Sequence, residues 1–268
     1  MKLEDGGIVS PDELDGFTRF AERLADTSRE LLLSASAQRP RAEVKEDSSP
    51  VTAVDRAVED RLRDMITREY PDHGIVGEER GVARVESDHV WVLDTIDGTL
   101  AFLAGIPVFG TLIALVRDGV PALGVIDLPA TGDRWVGCDG RPTTRNGEAV
   151  RVRACADLST ALLSTSNPDF YGAAEFETFE RLKSAVRWTV YGGSCLAYAQ
   201  IASGPIDLGI DTGLDPVDYC ALVPVIRGAG GTITDWQGAD LGLHSGSQVL
   251  AAGDPRAHAH ALEILARD

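Results

Sequence analysis

The 268-residue chain is long enough for one large domain or two tightly joined halves, and 44% apolar with 25% charged residues is an ordinary globular composition. A formal net charge of −17, from 25 basic and 42 acidic residues, argues against nucleic-acid binding, which needs clustered Lys and Arg, and makes an anionic substrate awkward unless cations intervene. No apolar run approaches the roughly 20 residues that span a bilayer, so no membrane partner is expected; residues 1–11 carry no signal-peptide pattern, and Cys138, Cys155, Cys195 and Cys220 form no Cys-x-x-Cys, which together predict a cytoplasmic protein with reduced thiols.

In chain order, residues 11–35 place Leu14, Phe17, Phe20 and Leu24 at helical spacing. Residues 37–50 are polar, with Arg39-Pro40 and Ser48-Ser49-Pro50, and read as a loop or irregular hairpin. Residues 51–70 form a second amphipathic helix, with Thr52 as its N-cap. Pro71-Asp72-His73-Gly74 breaks it, and a short strand Ile75-Val76 runs into Gly77-Glu78-Glu79. A strand at 89–93 follows. Strands at 110–116 and 121–126 flank the hairpin signal Asp118-Gly119, and 134–137 adds another. The rest alternates strands (161–165, 188–191, 206–210, 232–236, 249–252) with helices (176–185, 194–203, 216–228, 255–265). Asp254-Pro255 suits the start of the last helix. No repeat or linker interrupts this order, which predicts α/β layers packed into one unit. Within it, residues 1–150 would form an N-terminal α+β half and 151–268 a C-terminal α/β half.

The chemistry concentrates in Trp91-Val92-Leu93-Asp94-Thr95-Ile96-Asp97-Gly98-Thr99. A buried strand that ends in two acids adds nothing to a core, because ionised carboxylates are costly to desolvate unless paired or bound to a cation. Hard cations take such oxygen ligands, and Gly-Thr offers free N–H groups to an anion. Glu78 stands at another strand end and Asp218 at a helix start, while Asp55 lies in the first turn of a helix. If these ends converge, their carboxylates form a cage suited to Mg²⁺; two ions about 3.5–4 Å apart would clamp an in-line displacement at phosphorus. Singly, Asp55 and Asp218 also read as first-turn acids favoured by the helix dipole, and Glu78 and Glu79 as solvated turn residues. The five histidines share no metal spacing with the acids and read as structural or surface residues; Trp236 reads as a packing residue.

At these residues the sequence resembles the inositol monophosphatase superfamily of Mg²⁺-dependent phosphatases. The matching segments are Trp91 to Thr99, Gly77-Glu78-Glu79, Val217-Asp218 and Pro50-Val51-Thr52-Ala53-Val54-Asp55, and the likeness runs over nearly the whole chain. Segments such as Pro71 to Glu79, Gly110 to Leu115 and Leu222 to Gly231 look most like the bacterial histidinol-phosphatase branch. The resemblance implies an α-β-α-β-α sandwich, commonly a homodimer. It implies that Glu78, Asp94 and the Ile96 carbonyl hold one metal, and that Asp94, Asp97 and Asp218 hold a second. A third would lean on Glu78 and water near Asp55, so two to three Mg²⁺ are expected, with Mn²⁺ as a substitute and Li⁺ as an inhibitor. Glu78 and Thr99, the latter supported by Asp55, would take the proton of the attacking water. The Gly98 and Thr99 amides would hold the phosphate.

The departures fall on the leaving-group side. Thr95 replaces the family's usual Pro, and Leu100 follows Gly-Thr where a polar residue is common. Gly192-Gly193-Ser194-Cys195 is a variant of Gly-Gly-Asp-Cys, placing Gly193 and Ser194 near the substrate. Asp211 stands where Glu is frequent and would meet a substrate hydroxyl or amine, with Asp218 beside it; Asp215 stands where Lys is frequent. The expectation is therefore a phosphomonoesterase acting on histidinol phosphate. Inositol monophosphate, a nucleoside monophosphate or a natural-product intermediate is the alternative substrate. A non-catalytic protein that binds metal and a phosphorylated ligand is the alternative of another class.

Overall fold

A computed structural model describes residues 11–36, 43–44 and 50–267; the N-terminal reading and most of the expected loop at 37–50 fall outside them. The chain opens with helix α1 (Pro11–Ser36), then a two-residue ladder of β1 (Glu43–Val44) with β2 (Pro50–Val51), then α2 (Ala53–Glu69). Strands β3 (Gly74–Gly77), β4 (Gly81–Ala83) and β5 (His89–Asp97) lead to the short helix α3 (Thr99–Ala104). Next come β6 (Gly110–Arg117), β7 (Val120–Leu128), β8 (Asp133–Cys138), β9 (Arg141–Arg145) and β10 (Glu148–Ala149). The remainder runs β11 (Leu162–Thr165), α4 (Ala173–Ala185), β12 (Trp188–Tyr191), α5 (Ser194–Ser203) and β13 (Leu208–Asp211), then α6 (Pro216–Tyr219), α7 (Leu222–Gly228), β14 (Thr232–Thr234), β15 (Val249–Ala252) and α8 (Pro255–Leu265).

Strands β3 to β10 make an eight-stranded sheet in the order β10-β9-β8-β7-β6-β5-β3-β4, and the other five make a sheet in the order β12-β11-β13-β15-β14. The side-chain period of two sorts the large sheet into two faces. Trp91, Leu93, Ile113 and Leu115 point to α1 and α2, which bury Phe17, Phe20, Leu24, Leu62 and Ile66 against them. Val90, Val92, Leu112, Ala114 and Val116 point the other way, onto Tyr198, Ile201, Val225 and Ile226 of α5 and α7. The second sheet covers those helices from behind, and its outer face packs Leu163, Leu208 and Leu250 on Phe179 and Leu182 of α4 and Ala261 and Ile264 of α8. The layers are thus α-β-α-β-α. Both faces of β5 and β6 are covered, which is why those strands read as continuous apolar runs rather than alternating ones.

The central helices sit unusually close to the large sheet. A Cβ on Gly124 would lie 2.1 Å from the Ala221 carbonyl oxygen, and one on Gly137 2.4 Å from the Val225 Cα, so glycine is required at both contacts. The expected helix at 216–228 is two helices, broken at Cys220-Ala221. Pro224 has no N–H to give the Cys220 carbonyl, and its ring crowds that carbonyl. The hairpin at Asp118-Gly119 has φ of 49° and 80°, the left-handed pair of a two-residue turn.

Candidate active site

The acids meet where β3 and β5 end and α6 begins. In a regular strand, residues i and i+3 face opposite ways. Between Asp94 and Asp97 the ladder with β6 slips register, and that irregularity turns both carboxylates to one side. The parallel pairing of β3 with β5 sets Gly77 opposite Leu93, so the next residue, Glu78, comes beside Asp94 and within hydrogen-bonding reach of it. Asp218 arrives from α6, its Oδ2 accepting the Asp215 N–H at 2.7 Å. Oxygens of Asp94, Asp97 and Asp218 all lie within 4.8 Å of one another. The Asp94 Oδ1 also accepts the Ile96 N–H at 3.0 Å, which curls the backbone round the acid.

Burial, then the charges of Glu78, Asp97 and Asp218, push the Asp94 carboxyl far above the usual range. Burial raises Asp97 too, against the hydrogen bonds it receives from Cys195. Asp218 is pushed up to about 8, chiefly by burial, with Asp97 and Glu78 adding to it. Among the described residues no Lys or Arg forms an ion pair with Asp94, Asp97 or Asp218. Such a cluster holds either protons or a cation. Its all-oxygen donor set fits a hard divalent ion of the Mg²⁺ kind, so the residues present suit that cofactor.

Beside the acids, two turns are in contact, the ones expected to face a phosphate. Gly98 caps α3 with φ of 79°, a backbone angle side chains avoid, and a Cβ there would lie 3.1 Å from the Ser194 Oγ. Ser194 itself has φ of 45° and opens α5 after Gly193. The next amide, Cys195 N–H, donates to the Asp97 Oδ2 at 2.6 Å. The N-terminus of α5 therefore grips an acid of the cluster at the end of β5. The Thr99 hydroxyl donates to the Ile96 carbonyl at 3.0 Å.

Two expected residues sit differently from the roles given them. Asp55 Oδ2 accepts the Thr52 N–H at 2.8 Å and the Thr52 hydroxyl at 2.5 Å, closing a capping box, and neither Asp55 nor Thr99 hydrogen-bonds the other's side chain among the described residues. Asp55 does stand close enough to Glu78 for that charge to raise its pKa, after the larger effect of burial. Asp211 is only 2% exposed. Its oxygens accept the Thr165 hydroxyl (3.0 Å), the Ser166 N–H (2.7 Å), the Ser166 hydroxyl (3.0 Å) and the Tyr198 hydroxyl (2.8 Å). Burial lifts its pKa to about 6 against those bonds. Its short side chain keeps it inside this network, so it braces Ser166 from below. Leu100 and Asp215 are exposed at the rim. Thr95 is buried, donating to the Asp55 carbonyl at 3.2 Å while its own carbonyl accepts the Thr111 hydroxyl at 2.9 Å.

Sequence reading missed Cys195, Ser166 and Glu59. The Cys195 contact is with a residue 98 positions away, which no local pattern encodes. Glu59 had a signal. It lies one helical turn after Asp55, on the same face, and is fully buried.

A family model described as the inositol monophosphatase family matches residues 13–267. The bifunctional phosphatase IMPL2, chloroplastic, of Arabidopsis thaliana is 44% identical over 271 residues, covering 98% of this chain and 78% of that protein. A histidinol-phosphatase of Mycobacterium tuberculosis is 37% identical over 242 residues, covering 87% of this chain and 92% of that protein. Among solved structures, an inositol monophosphatase from Zymomonas mobilis superposes with a TM-score of 0.84 at 39% identity, covering 94% of this chain and 98% of that one.

Proposed function

The chain belongs to the inositol monophosphatase family and is a phosphoric monoester hydrolase, and on that premise we propose that it hydrolyses histidinol phosphate with two to three bound Mg²⁺. The convergence of Asp94, Asp97 and Asp218, with Glu78 beside them, carries the metal-assisted part of this reading. Likeness to the mycobacterial histidinol-phosphatase favours the substrate. Glu78, Asp94 and the Ile96 carbonyl would hold one ion, and Asp94, Asp97 and Asp218 another; Mn²⁺ would substitute and Li⁺ inhibit. When bound, such ions make a coordinated water acidic and neutralise charge on the phosphoryl group.

The chain's own groups do the rest. The Gly98 and Thr99 amides hold the phosphoryl oxygens. The Thr99 hydroxyl spends its proton on the Ile96 carbonyl, so its oxygen faces outward as an acceptor that orients the attacking water. Glu78 takes the water's proton as the new P–O bond forms and the bond to the leaving oxygen breaks, and that oxygen takes a proton from solvent water to leave as the alcohol. Asp55 stands near enough to Glu78 to feel its charge, at the edge of the same acidic group. Gly193 and Ser194 line the leaving-group side. Four free thiols suit a reducing compartment, and we place the enzyme in the cytoplasm. We also propose a homodimer, because the edge strand β12 leaves Trp188 (61%), Val190 (40%) and Tyr191 (50%) exposed on one border of the second sheet.

The test is phosphate release from histidinol phosphate, inositol 1-phosphate and nucleoside monophosphates, with Mg²⁺ and with chelator. Histidinol phosphate should give the highest kcat/KM, and chelator should abolish release. A higher kcat/KM for inositol phosphate or a nucleotide would overturn the substrate. Tight Mg²⁺ and ligand binding without phosphate release from any of them would point to the non-catalytic reading.

A further inference from the structure

We propose that Glu59 and Arg63, one turn apart on α2, form a clasp on the turn after β3 that fixes where Glu78 stands, which makes Glu59 a positioning residue of the metal centre; this rests on the reading of the acids as a cation site.

Glu59 should be an apolar position. It lies on the face of α2 that buries Val58, Leu62 and Ile66, and its side chain is wholly enclosed. A carboxylate there costs free energy unless it is bonded, and a hydrophobic side chain of similar volume would fill the space without that cost. Its bonds all go to one place. Glu59 Oε2 accepts the Glu79 N–H at 2.7 Å, and Oε1 accepts the Arg80 N–H at 3.1 Å. Arg63 stands 3.3 Å from Oε1 and takes the other polarity of the same turn, donating to the Gly81 carbonyl at 2.6 Å and the Arg80 carbonyl at 3.5 Å. The acid thus binds the turn's N–H groups and the base its C=O groups.

The clasp closes on both sides of Glu78. On the far side are the Glu79 and Arg80 amides. On the near side the carboxylate lies flat on Gly77, where a Cβ would fall 2.1 Å from Oε1. Glu78's own N–H donates to the Leu93 carbonyl at 3.3 Å. With its neighbours pinned to α2 and its amide pinned to β5, the Glu78 backbone is held in place, and its side chain lies within hydrogen-bonding reach of Asp94. Asp55, on the next turn of the same helix, lies near Glu78 as well. Arg80 also pairs with Asp60, but through side chains that are 42% and 55% exposed, and that pair supplies a control.

The experiment is Mn²⁺ binding without substrate, followed by electron paramagnetic resonance, on wild type and on Glu59→Gln, Arg63→Gln and Asp60→Asn, each checked for cooperative thermal unfolding. Glu59→Gln keeps the shape but turns an NH₂ toward a backbone donor, and it should weaken Mn²⁺ binding about 10- to 100-fold, as removal of a ligand's support typically does. Arg63→Gln should weaken it less, and Asp60→Asn should leave it unchanged. Gly77→Ala should weaken binding strongly in wild type, and by about twofold or less in a Glu59→Ala background, because the clash and the clasp are one contact. Folded Glu59→Gln protein with unchanged Mn²⁺ affinity overturns the proposal, as does equal weakening in Asp60→Asn or an undiminished Gly77→Ala effect in the Glu59→Ala background. Should Glu59→Gln not fold, an Arg63→Gln protein with wild-type affinity overturns it equally. Wild type that binds Mn²⁺ but releases no phosphate removes the phosphatase substrate and leaves the clasp standing; wild type that binds no Mn²⁺ removes both.

Discussion

Asp94 is the residue on which the other acids converge, pressed by Glu78, Asp97 and Asp218 at once. Asp94→Asn should lower kcat/KM at least about 10³-fold, since each factor of ten is only about 1.4 kcal/mol of transition-state stabilisation and the acid is expected to serve two ions; initial-rate phosphate release measures it. Thr95 is a buried strut between β5 and α2. Thr95→Val should cost about 0.5–1.5 kcal/mol in urea unfolding, the usual worth of one such bond, with little change in rate. The pairing of Asp94 with Asp97 was legible in the sequence because the two lie three residues apart at the end of an apolar strand and make no sense as core. Glu59 was not, because a helical Glu four residues after an Asp looks like a solvated face until its burial is known. Asp211 reads as a substrate-facing acid, but its oxygens are taken up by four donors from β11, the turn after it, and α5, which no one-dimensional pattern brings together.

Among the elements, helices and long apolar strands followed their periodicity, and the exceptions have local causes. Strand β5 extends through the acids to Asp97 because β6 continues to pair with it past the bulge. Helix α3 and strands β4, β9 and β10 went unseen, being at most six residues long and without a complete period to read. At the other end of β5 from the acids, His73 stacks between Tyr70 (ring centroids 4.7 Å) and His89 (4.9 Å) and accepts the Trp91 indole N–H at 3.1 Å. Burial, then the neighbouring His89, lowers its pKa to about 4, against smaller opposing effects of Asp72 and Glu13. The folded state therefore stays neutral where the unfolded chain binds a proton, and His73 should cost stability progressively as pH falls from about 6.5 to about 4. Urea midpoints across that window should fall less in His73→Phe than in wild type.

For the whole molecule, the three apolar clusters define the layers; the element pattern predicted α/β layers in one unit, and their α-β-α-β-α stacking was implied by the family resemblance. What the element pattern could not anticipate is that one end of the stack collects acids from both halves. An ion bound there stabilises only the folded chain, so Mg²⁺ at 100 times its Kd should raise unfolding free energy by about 2.7 kcal/mol, and chelator should remove that gain in a thermal melt. The exposed edge strand carries the assembly prediction: Trp188→Glu should weaken dimerisation about 100-fold or more, since a buried aromatic anchor commonly carries that much, read by light scattering during size-exclusion chromatography.

The grip of the Cys195 amide on Asp97, together with the late arrival of Asp218, also sets an order of events during synthesis. More than a hundred residues separate Asp97 from Asp218, and a ribosome adding about 5–20 residues per second needs on the order of ten seconds to cover them. Over that interval β6 to β10 complete the eight-stranded sheet first, the α5 amide that holds Asp97 follows at Cys195, and the last carboxylate arrives at Asp218. Strands β14 and β15 and helix α8 are made later still, so the acid cluster is complete in sequence before the second sheet that backs it is.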